Sequence, residues 1–121
     1  MKATLIISHG SRSPQTLAEI KALAAEIRAR SGLGIVRYAF LELESPSIPE
    51  GIDECVTLGA DEVVVVLNFL NAGRHVDADI PEILSRARQK HPGVKIVQSR
   101  PVGQHPGMIP LFLDLIDRPD T

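Results

Sequence analysis

The sequence predicts an α/β protein of three layers, with helices on both faces of a four-stranded parallel sheet. Four short, continuous apolar runs alternate along the chain with four segments whose apolar residues recur at helical spacing. Strands without polar alternation are typical of a sheet buried on both faces, and strand–helix alternation is typical of parallel pairing. The 121 residues suffice for one domain and are too few for two, so we expect a single domain over residues 1–121.

The first three elements illustrate the pattern. Residues 3–7 form an apolar run that Ser8-His9-Gly10 ends, which predicts a buried strand. Ser13-Pro14 then supplies an N-cap and a first-turn proline for a helix that ends at Gly32. Its apolar positions are Leu17, Ile20, Leu23, Ala24 and Ile27. Residues 34–40 form the second strand.

The remaining elements continue in the order helix, strand, helix, strand, helix. Pro46 to Pro49 opens the second helix and Gly59 ends it, while Pro92 and Pro119 follow the third and fourth helices. The third strand, residues 63–67, is the strongest because it is β-branched up to its last residue. The fourth strand spans 94–97. Apolar positions of the last two helices are Ile80, Ile83, Leu84, Ala87, Ile109, Phe112, Leu113 and Ile116.

Composition excludes several classes of protein. Lys and Arg total 13 against 15 Asp and Glu, a net charge of −2, which argues against a nucleic-acid partner. No apolar run approaches the roughly 20 residues of a membrane-spanning helix. Ser8 to Ser13 interrupts the N-terminal apolar stretch, so we expect no signal peptide. The single cysteine, Cys55, fits a reducing compartment, and we expect a cytoplasmic protein.

Polar and charged residues follow every predicted strand. Ligands of open parallel sheets bind beyond the carboxyl ends of the strands, so these residues are the first candidates for a site. They are His9, Ser11 and Arg12 after the first strand, Glu42 and Glu44 after the second, Asn71, Gly73, Arg74 and His75 after the third, and Arg100 and His105 after the fourth. Three of the four histidines thus lie on one edge.

Two of these histidines, with one carboxylate, are candidates for metal binding. His9 directly follows a buried strand, and His75 lies in a loop beside Gly73. Neutral imidazole is a good ligand for Co²⁺, Ni²⁺, Fe²⁺ and Zn²⁺, and with Glu42 the pair would form an incomplete sphere with open positions. The alternative is structural: His9 hydrogen-bonds in the turn after a strand, and His75 caps a helix.

Arginines from separate strand ends suit a polycarboxylate ligand. Guanidinium groups bind carboxylates in forked geometry, and Arg12, Arg74 and Arg100 share the ligand edge. The alternative is that the three arginines are ordinary solvated charges without a role in binding. The segment from Gly10 to Ser13, with Ser11 in it, places backbone amides and a helix N-terminus where anions bind, although it matches neither a Walker loop nor a dinucleotide-binding fingerprint.

Nucleophilic catalysis is not indicated. Cys55 falls on the apolar stripe of the second helix, which predicts a buried thiol without a catalytic role. Ser8 and Ser11 lie near His9, yet the chain has no Gly-x-Ser-x-Gly elbow. In histidine phosphatases an arginine precedes the nucleophilic His-Gly pair, whereas here Ser8 precedes it.

Three segments together resemble the CbiX family. They are Leu5-Ile6-Ile7-Ser8-His9-Gly10-Ser11-Arg12, Ala39-Phe40-Leu41-Glu42-Leu43-Glu44-Ser45-Pro46-Ser47, and Phe69-Leu70-Asn71-Ala72-Gly73-Arg74-His75-Val76 with Asp79-Ile80-Pro81-Glu82. The similarity runs over almost the whole chain in the expected order. Leu67-Asn68 departs from the family, whose third strand usually ends with proline and an apolar residue.

The resemblance implies a chelatase-like (flavodoxin-like) half-domain that inserts a divalent metal into sirohydrochlorin, as short cobaltochelatases and the related ferrochelatases do. Residues matching His9 and His75 bind the metal, Glu42 would relay protons or complete the sphere, and no permanently bound cofactor is implied. Ser11, Arg12, Asn71, Gly73, Arg74 and Arg100 are the expected substrate contacts. Longer relatives carry two facing copies of the domain, so a one-copy chain implies a homodimer with a shared cleft.

Two other hypotheses stay open. One is a non-catalytic carrier of metal or tetrapyrrole on the same fold. The other is a flavodoxin-like regulatory module, which is disfavoured because no acidic phospho-acceptor cluster follows the first strand.

Overall fold

The computed structural model describes residues 1–71, 73 and 75–121, the side chains of His75 and Val76 excepted. Its elements in chain order are β1 (Lys2–Ser8), α1 (Pro14–Ser31), β2 (Ile35–Phe40), α2 (Ile48–Thr57), β3 (Glu62–Leu67), a π-helical segment (His75–Asp79), α3 (Ile80–Lys90), β4 (Lys95–Gln98), a 3₁₀ turn (Val102–Gln104) and α4 (Met108–Asp117).

The four strands form one parallel sheet in the order β2-β1-β3-β4, which confirms the predicted fold class. The central strand β1 pairs with β2 on one side and with β3 on the other, so that Leu5 lies between Arg37 and Val65. All four carboxyl ends therefore lie on one edge of the sheet, hereafter the carboxyl edge.

The larger core lies on one face of the sheet, beneath α2 and α3. Leu5, Val65, Ile52 and Leu84 are completely buried there. Cys55 belongs to this core, where burial raises the pKa of its thiol to about 11. A thiol so hard to ionise is a poor nucleophile, which agrees with the structural role that the sequence predicted.

On the opposite face, α1 packs against β1 and β2. Ala24 of α1 lies in a second buried cluster with Ile6 and Val36. The part of this face formed by β3 and β4 is not covered to the same degree: Val64, Val66 and Val97 are partly exposed.

Two local expectations need correction. The backbone at His75 begins the π-helical segment instead of lying in an irregular loop, and this segment leads directly into α3. The fourth helix forms as expected, but no residue of α4 is buried. The linker before α4 directs it away from the sheet, so it adds nothing to the covering of either face.

Candidate functional site at the carboxyl edge

Two loops at the carboxyl edge are bonded to each other along their backbones. They follow β1 (residues 9–13) and β2 (residues 41–47). Leu41 donates its amide to the carbonyl of Ser8 at 2.9 Å, and Glu42 donates to the carbonyl of His9 at 3.1 Å. The parallel pairing of β1 and β2 thus continues past the ends of both strands, and it fixes the backbone of His9.

Gly10 lets these loops approach so closely. Its φ is +106°, in the region that favours glycine, and a Cβ at this position would lie 1.8 Å from the carbonyl oxygen of Glu42. Any other residue would push the two loops apart. The glycine of the Ser-His-Gly-Ser sequence is therefore required by packing against Glu42.

A tight turn at Leu43 directs two carboxylates toward the β1 loop. Leu43 has φ +69°, and the amide of Glu44 donates to the carbonyl of Glu42 at 2.8 Å. A hydrogen bond over two residues with positive φ is a γ-turn of the rare, strained kind. Glu42 and Glu44 flank this turn and both contact the loop after β1. Strain of this kind is characteristic of functional sites.

His9 and Glu42 form a pair at the surface. The Nε2 atom of His9 lies 2.7 Å from Oε1 of Glu42, and both side chains are about half exposed, at 46% and 49%. A molecule at the edge can therefore reach the imidazole and the carboxylate together. This juxtaposition is the one that the sequence suggested for these two residues.

Glu44 and Ser11 stabilise the loop that carries His9. The Ser11 amide donates to Oε1 of Glu44 at 2.8 Å, and the Ser13 amide donates to Oγ of Ser11 at 3.0 Å. A hydrogen bond from a backbone amide to a carboxylate is charge-assisted and therefore strong. Ser11 thus has a local structural role in addition to the predicted one at the substrate site.

Beneath His9, polar side chains join the ends of β1, β3 and β4. Asn68 donates from Nδ2 to Oγ of the buried Ser8 at 3.0 Å. The Leu67 amide donates to Oγ of Ser99 at 3.1 Å, and the Ser99 amide to the carbonyl of Val65 at 2.9 Å. These hydrogen bonds hold the ends of the three strands together beneath the edge residues.

The other predicted site residues are placed as follows. Arg12 and Arg100 are exposed on the carboxyl edge, after β1 and β4. Asn71 lines a groove of about 370 Å³ with Leu70, Met108 and Phe112. The Gly73 carbonyl accepts from the Asp77 amide at 2.7 Å. Arg74 and the side chain of His75 lie outside the described residues, so the pairing of His75 with His9 stays a prediction.

A second groove, of about 330 Å³, lies beside the His9–Glu42 pair. Its walls include Leu41, Glu42, Asp79 and Arg86.

Among the residues whose side chains the structure describes, no three histidines, cysteines or carboxylates converge as a metal-binding group. Within the same part of the chain, no helix is both long and apolar enough to cross a bilayer.

Three residues support the site in a way that the sequence does not predict. Glu44, Leu43 and Asn68 all follow predicted strands, but the sequence indicates no supporting role for any of them. Ser8 ends β1 and Asn68 directly follows β3. Because these two strands pair in parallel, the proximity of the two residues can be inferred from the sequence pattern. The sequence gives no signal for the γ-turn at Leu43, because leucine is unfavourable at positive φ and does not predict a turn of this kind.

Known proteins similar to this chain are tetrapyrrole chelatases. The sequence model of the CbiX family matches residues 3–118. Over 105 residues the chain is 35% identical to a sirohydrochlorin cobaltochelatase of Priestia megaterium, covering 87% of this chain and 34% of that protein. It is 33% identical over 113 residues to the chloroplastic sirohydrochlorin ferrochelatase of Arabidopsis thaliana, covering 93% and 48%. The chain thus spans half or less of these two relatives.

Solved structures give the same result. The sirohydrochlorin chelatase SirB of Bacillus subtilis, solved with cobalt, superposes with a TM-score of 0.83 at 30% identity and covers 96% of this chain and 50% of its own. A putative cobalamin-biosynthesis CbiX protein of Marinobacter aquaeolei has a TM-score of 0.82 at 25% identity and covers 97% and 93%. The fold and the family match together show that this chain belongs to the CbiX family.

Proposed function

We propose that this protein is a chelatase that inserts a divalent metal into sirohydrochlorin. The observation that carries the proposal is the His9–Glu42 pair, held by two bonded loops and exposed on the carboxyl edge of a CbiX-family fold. The metal, Co²⁺ first with Ni²⁺ and Fe²⁺ as alternatives, is a substrate, and no permanently bound cofactor is proposed. We place the reaction in the cytoplasm, with residues 1–121 acting as one domain.

The reaction exchanges two pyrrole protons of the ring for the metal. The metal must lose water ligands, and the two protons must reach acceptors outside the macrocycle. The Nε2 atom of His9 is an exchangeable ligand for the metal, and His75 is proposed as the second. Once the metal has passed to the ring, the released Nε2 atom accepts one pyrrole proton and can pass it to Glu42, 2.7 Å away, while water accepts the other; alternatively Glu42 completes the metal sphere before transfer.

Substrate binding is assigned to the exposed edge. Sirohydrochlorin carries many carboxylates, and Arg12, Arg74 and Arg100 are proposed to pair with them. Ser11, Asn71 and Gly73 would contact the ring or its substituents.

We also propose that two copies share the cleft. One carboxyl edge covers one side of a macrocycle and leaves the other side in water. Two edges related by a two-fold axis would enclose the ring and supply two copies of His9 and His75, and C₂ dimers are the commonest closed assembly. Leu70 and Ile109, each 67% exposed, are candidates for burial between the copies, together with Phe69.

Absorbance spectroscopy separates this proposal from the alternative, a non-catalytic carrier. Protein at sub-stoichiometric concentration is mixed with sirohydrochlorin and Co²⁺, then with Ni²⁺ and Fe²⁺ in parallel. The chelatase gives many metallated rings per subunit above the protein-free rate. A spectral change that stops at one ring per subunit or per dimer would contradict catalysis and favour the carrier.

A further inference from the structure

The last helix of the chain is apolar over most of its circumference and unburied. Its large apolar residues are Ile109, Leu111, Phe112, Leu113, Leu115 and Ile116, with exposed fractions between 50% and 69%. At 3.6 residues per turn they cover an arc of about 200°. Pro110 and the polar residues Asp114 and Asp117 share the opposite stripe, where Arg118 pairs with Asp114 at 2.9 Å.

A matching surface on the sheet is only partly covered. Val64 and Val97 are register partners on β3 and β4, and Val66 follows on the same face. All three are partly exposed, whereas Thr4 and Ile6, their neighbours on β1, are buried. A groove of about 300 Å³ opens beside Val66, with Pro101 and Val102 among its walls. The described part of the chain therefore has an apolar helix with no buried residue and an incompletely covered apolar face of similar chemistry.

The linker before α4 is fixed in a direction that keeps the helix off its own sheet. The Gly103 amide donates to the carbonyl of Phe69 at 3.0 Å, and a Cβ on Gly103 would lie 1.7 Å from the carbonyl oxygen of Leu70. His105, Gly107 and Met108 continue a series of local hydrogen bonds into the helix. For α4 to fold back on its own chain, these contacts would have to break.

We propose that α4 packs on a second copy of this chain, over the face formed by Val64, Val66 and Val97, and that the two copies exchange their helices reciprocally. This inference rests on the homodimer of the proposed function and names the element that forms it. A helix lying on one surface needs an apolar stripe of only about 100°. The wider arc of α4 fits a position between two surfaces, which we assign to the partner's sheet and the partner's α4.

The area of such a contact is sufficient for a stable dimer. Six large apolar side chains, each at least half exposed, are covered on each of two helices, together with the faces that receive them. The total is on the order of 1,000 Å² or more, which a specific interface requires. Since α4 begins beside Leu70 and Asn71, the contact adjoins the carboxyl edge and brings the two sites together.

Disulfide trapping tests the exchange directly, because the native Cys55 is buried and does not interfere. One preparation carries Val97→Cys and is isotope-labelled. The other carries Leu111→Cys, Phe112→Cys or Ile116→Cys, and the two are mixed, oxidised and mapped by mass spectrometry. We expect a mixed disulfide between labelled and unlabelled chains from at least one of the three positions. Asp117→Cys, on the polar stripe, is the matched control and should give at least tenfold less.

Three outcomes would overturn the exchange: no mixed disulfide from any position, an intrachain disulfide in a chain carrying both changes, or a monomer by sedimentation at micromolar concentration. As a second measurement, Phe112→Asp should weaken self-association at least tenfold. The trapping needs no tetrapyrrole, so its failure is distinct from failure of the chelatase assay. A chain that inserts metal without trapping would refute the exchange and leave the activity in place.

Discussion

The β1–β2 half of the molecule and the β3–β4 half differ in how completely the chain covers them. In the first half, α1 lies over Ile6 and Val36, and the loops beyond the strands are bonded backbone to backbone. In the second half, Val64 and Val97 stay partly exposed and α4 is unburied. The first half holds a candidate site residue, His9, in place by its own contacts. The second half presents apolar surface that the described residues of the same chain leave exposed.

On the proposed dimer, this difference separates residues that stabilise the fold from residues that would serve assembly. Ile52 is completely buried, and Ile116 is 69% exposed. Ile52→Ala should lower the free energy of unfolding by about 2–5 kcal/mol, since it leaves a cavity in the larger core. Ile116→Ala should change it by less than about 0.5 kcal/mol in dilute protein that is held as monomer. Urea unfolding of both variants measures this, and equal losses would contradict the comparison.

The bonded loops around His9 predict the next largest effect. Gly10→Ala places a Cβ against the Glu42 carbonyl and forces a side chain into positive φ, so we expect a loss of about 2–3 kcal/mol. Gly34 is the matched control, because a Cβ there meets no atom within 4 Å. Gly34→Ala should be within about 0.5 kcal/mol of wild type. If both variants unfold at the same urea concentration, the loops are not as closely packed as the structure describes.

A smaller effect is expected where α2 meets the end of α3. Lys90 and His91 donate hydrogen bonds to Asp53 at 2.8 and 2.7 Å, and these bonds lower the pKa of the Asp53 carboxyl below its usual 3.8. A lowered pKa in the folded state contributes stability above pH 4, and this contribution disappears as the pH falls through the folded value. Because these groups are partly exposed, the contribution is about 1 kcal/mol or less.

Thermal unfolding between pH 7 and pH 2.5 measures that contribution. Asp53→Asn should be slightly less stable than wild type at pH 7, and the two proteins should converge at the acidic end. Asp120→Asn, at an exposed position near the C-terminus, is the control and should follow wild type throughout. If the difference in stability between wild type and Asp53→Asn is the same at every pH, ionisation of Asp53 does not contribute to the stability of the fold.

The sequence was sufficient to predict the sheet and most of the edge because both depend on local patterns. Continuous apolar runs such as 63–67 identify strands, and parallel pairing then brings His9 and Glu42 to the same edge. The π-helical start at His75 and the γ-turn at Leu43 have no such pattern, since each depends on contacts made elsewhere in the fold. The helical period of α4 predicts a helix correctly but does not show which surface the helix covers.

We propose above all that the carboxyl edge, through His9, carries out metal insertion. The most direct test is the initial rate of Co²⁺ insertion into sirohydrochlorin by wild type, His9→Ala and His91→Ala, with folding checked by circular dichroism. His91 is the matched control because it bonds to Asp53, away from the carboxyl edge. We predict that His9→Ala loses about 100-fold or more of the rate, while His91→Ala stays within about twofold. A folded His9→Ala protein with the wild-type rate would contradict the account.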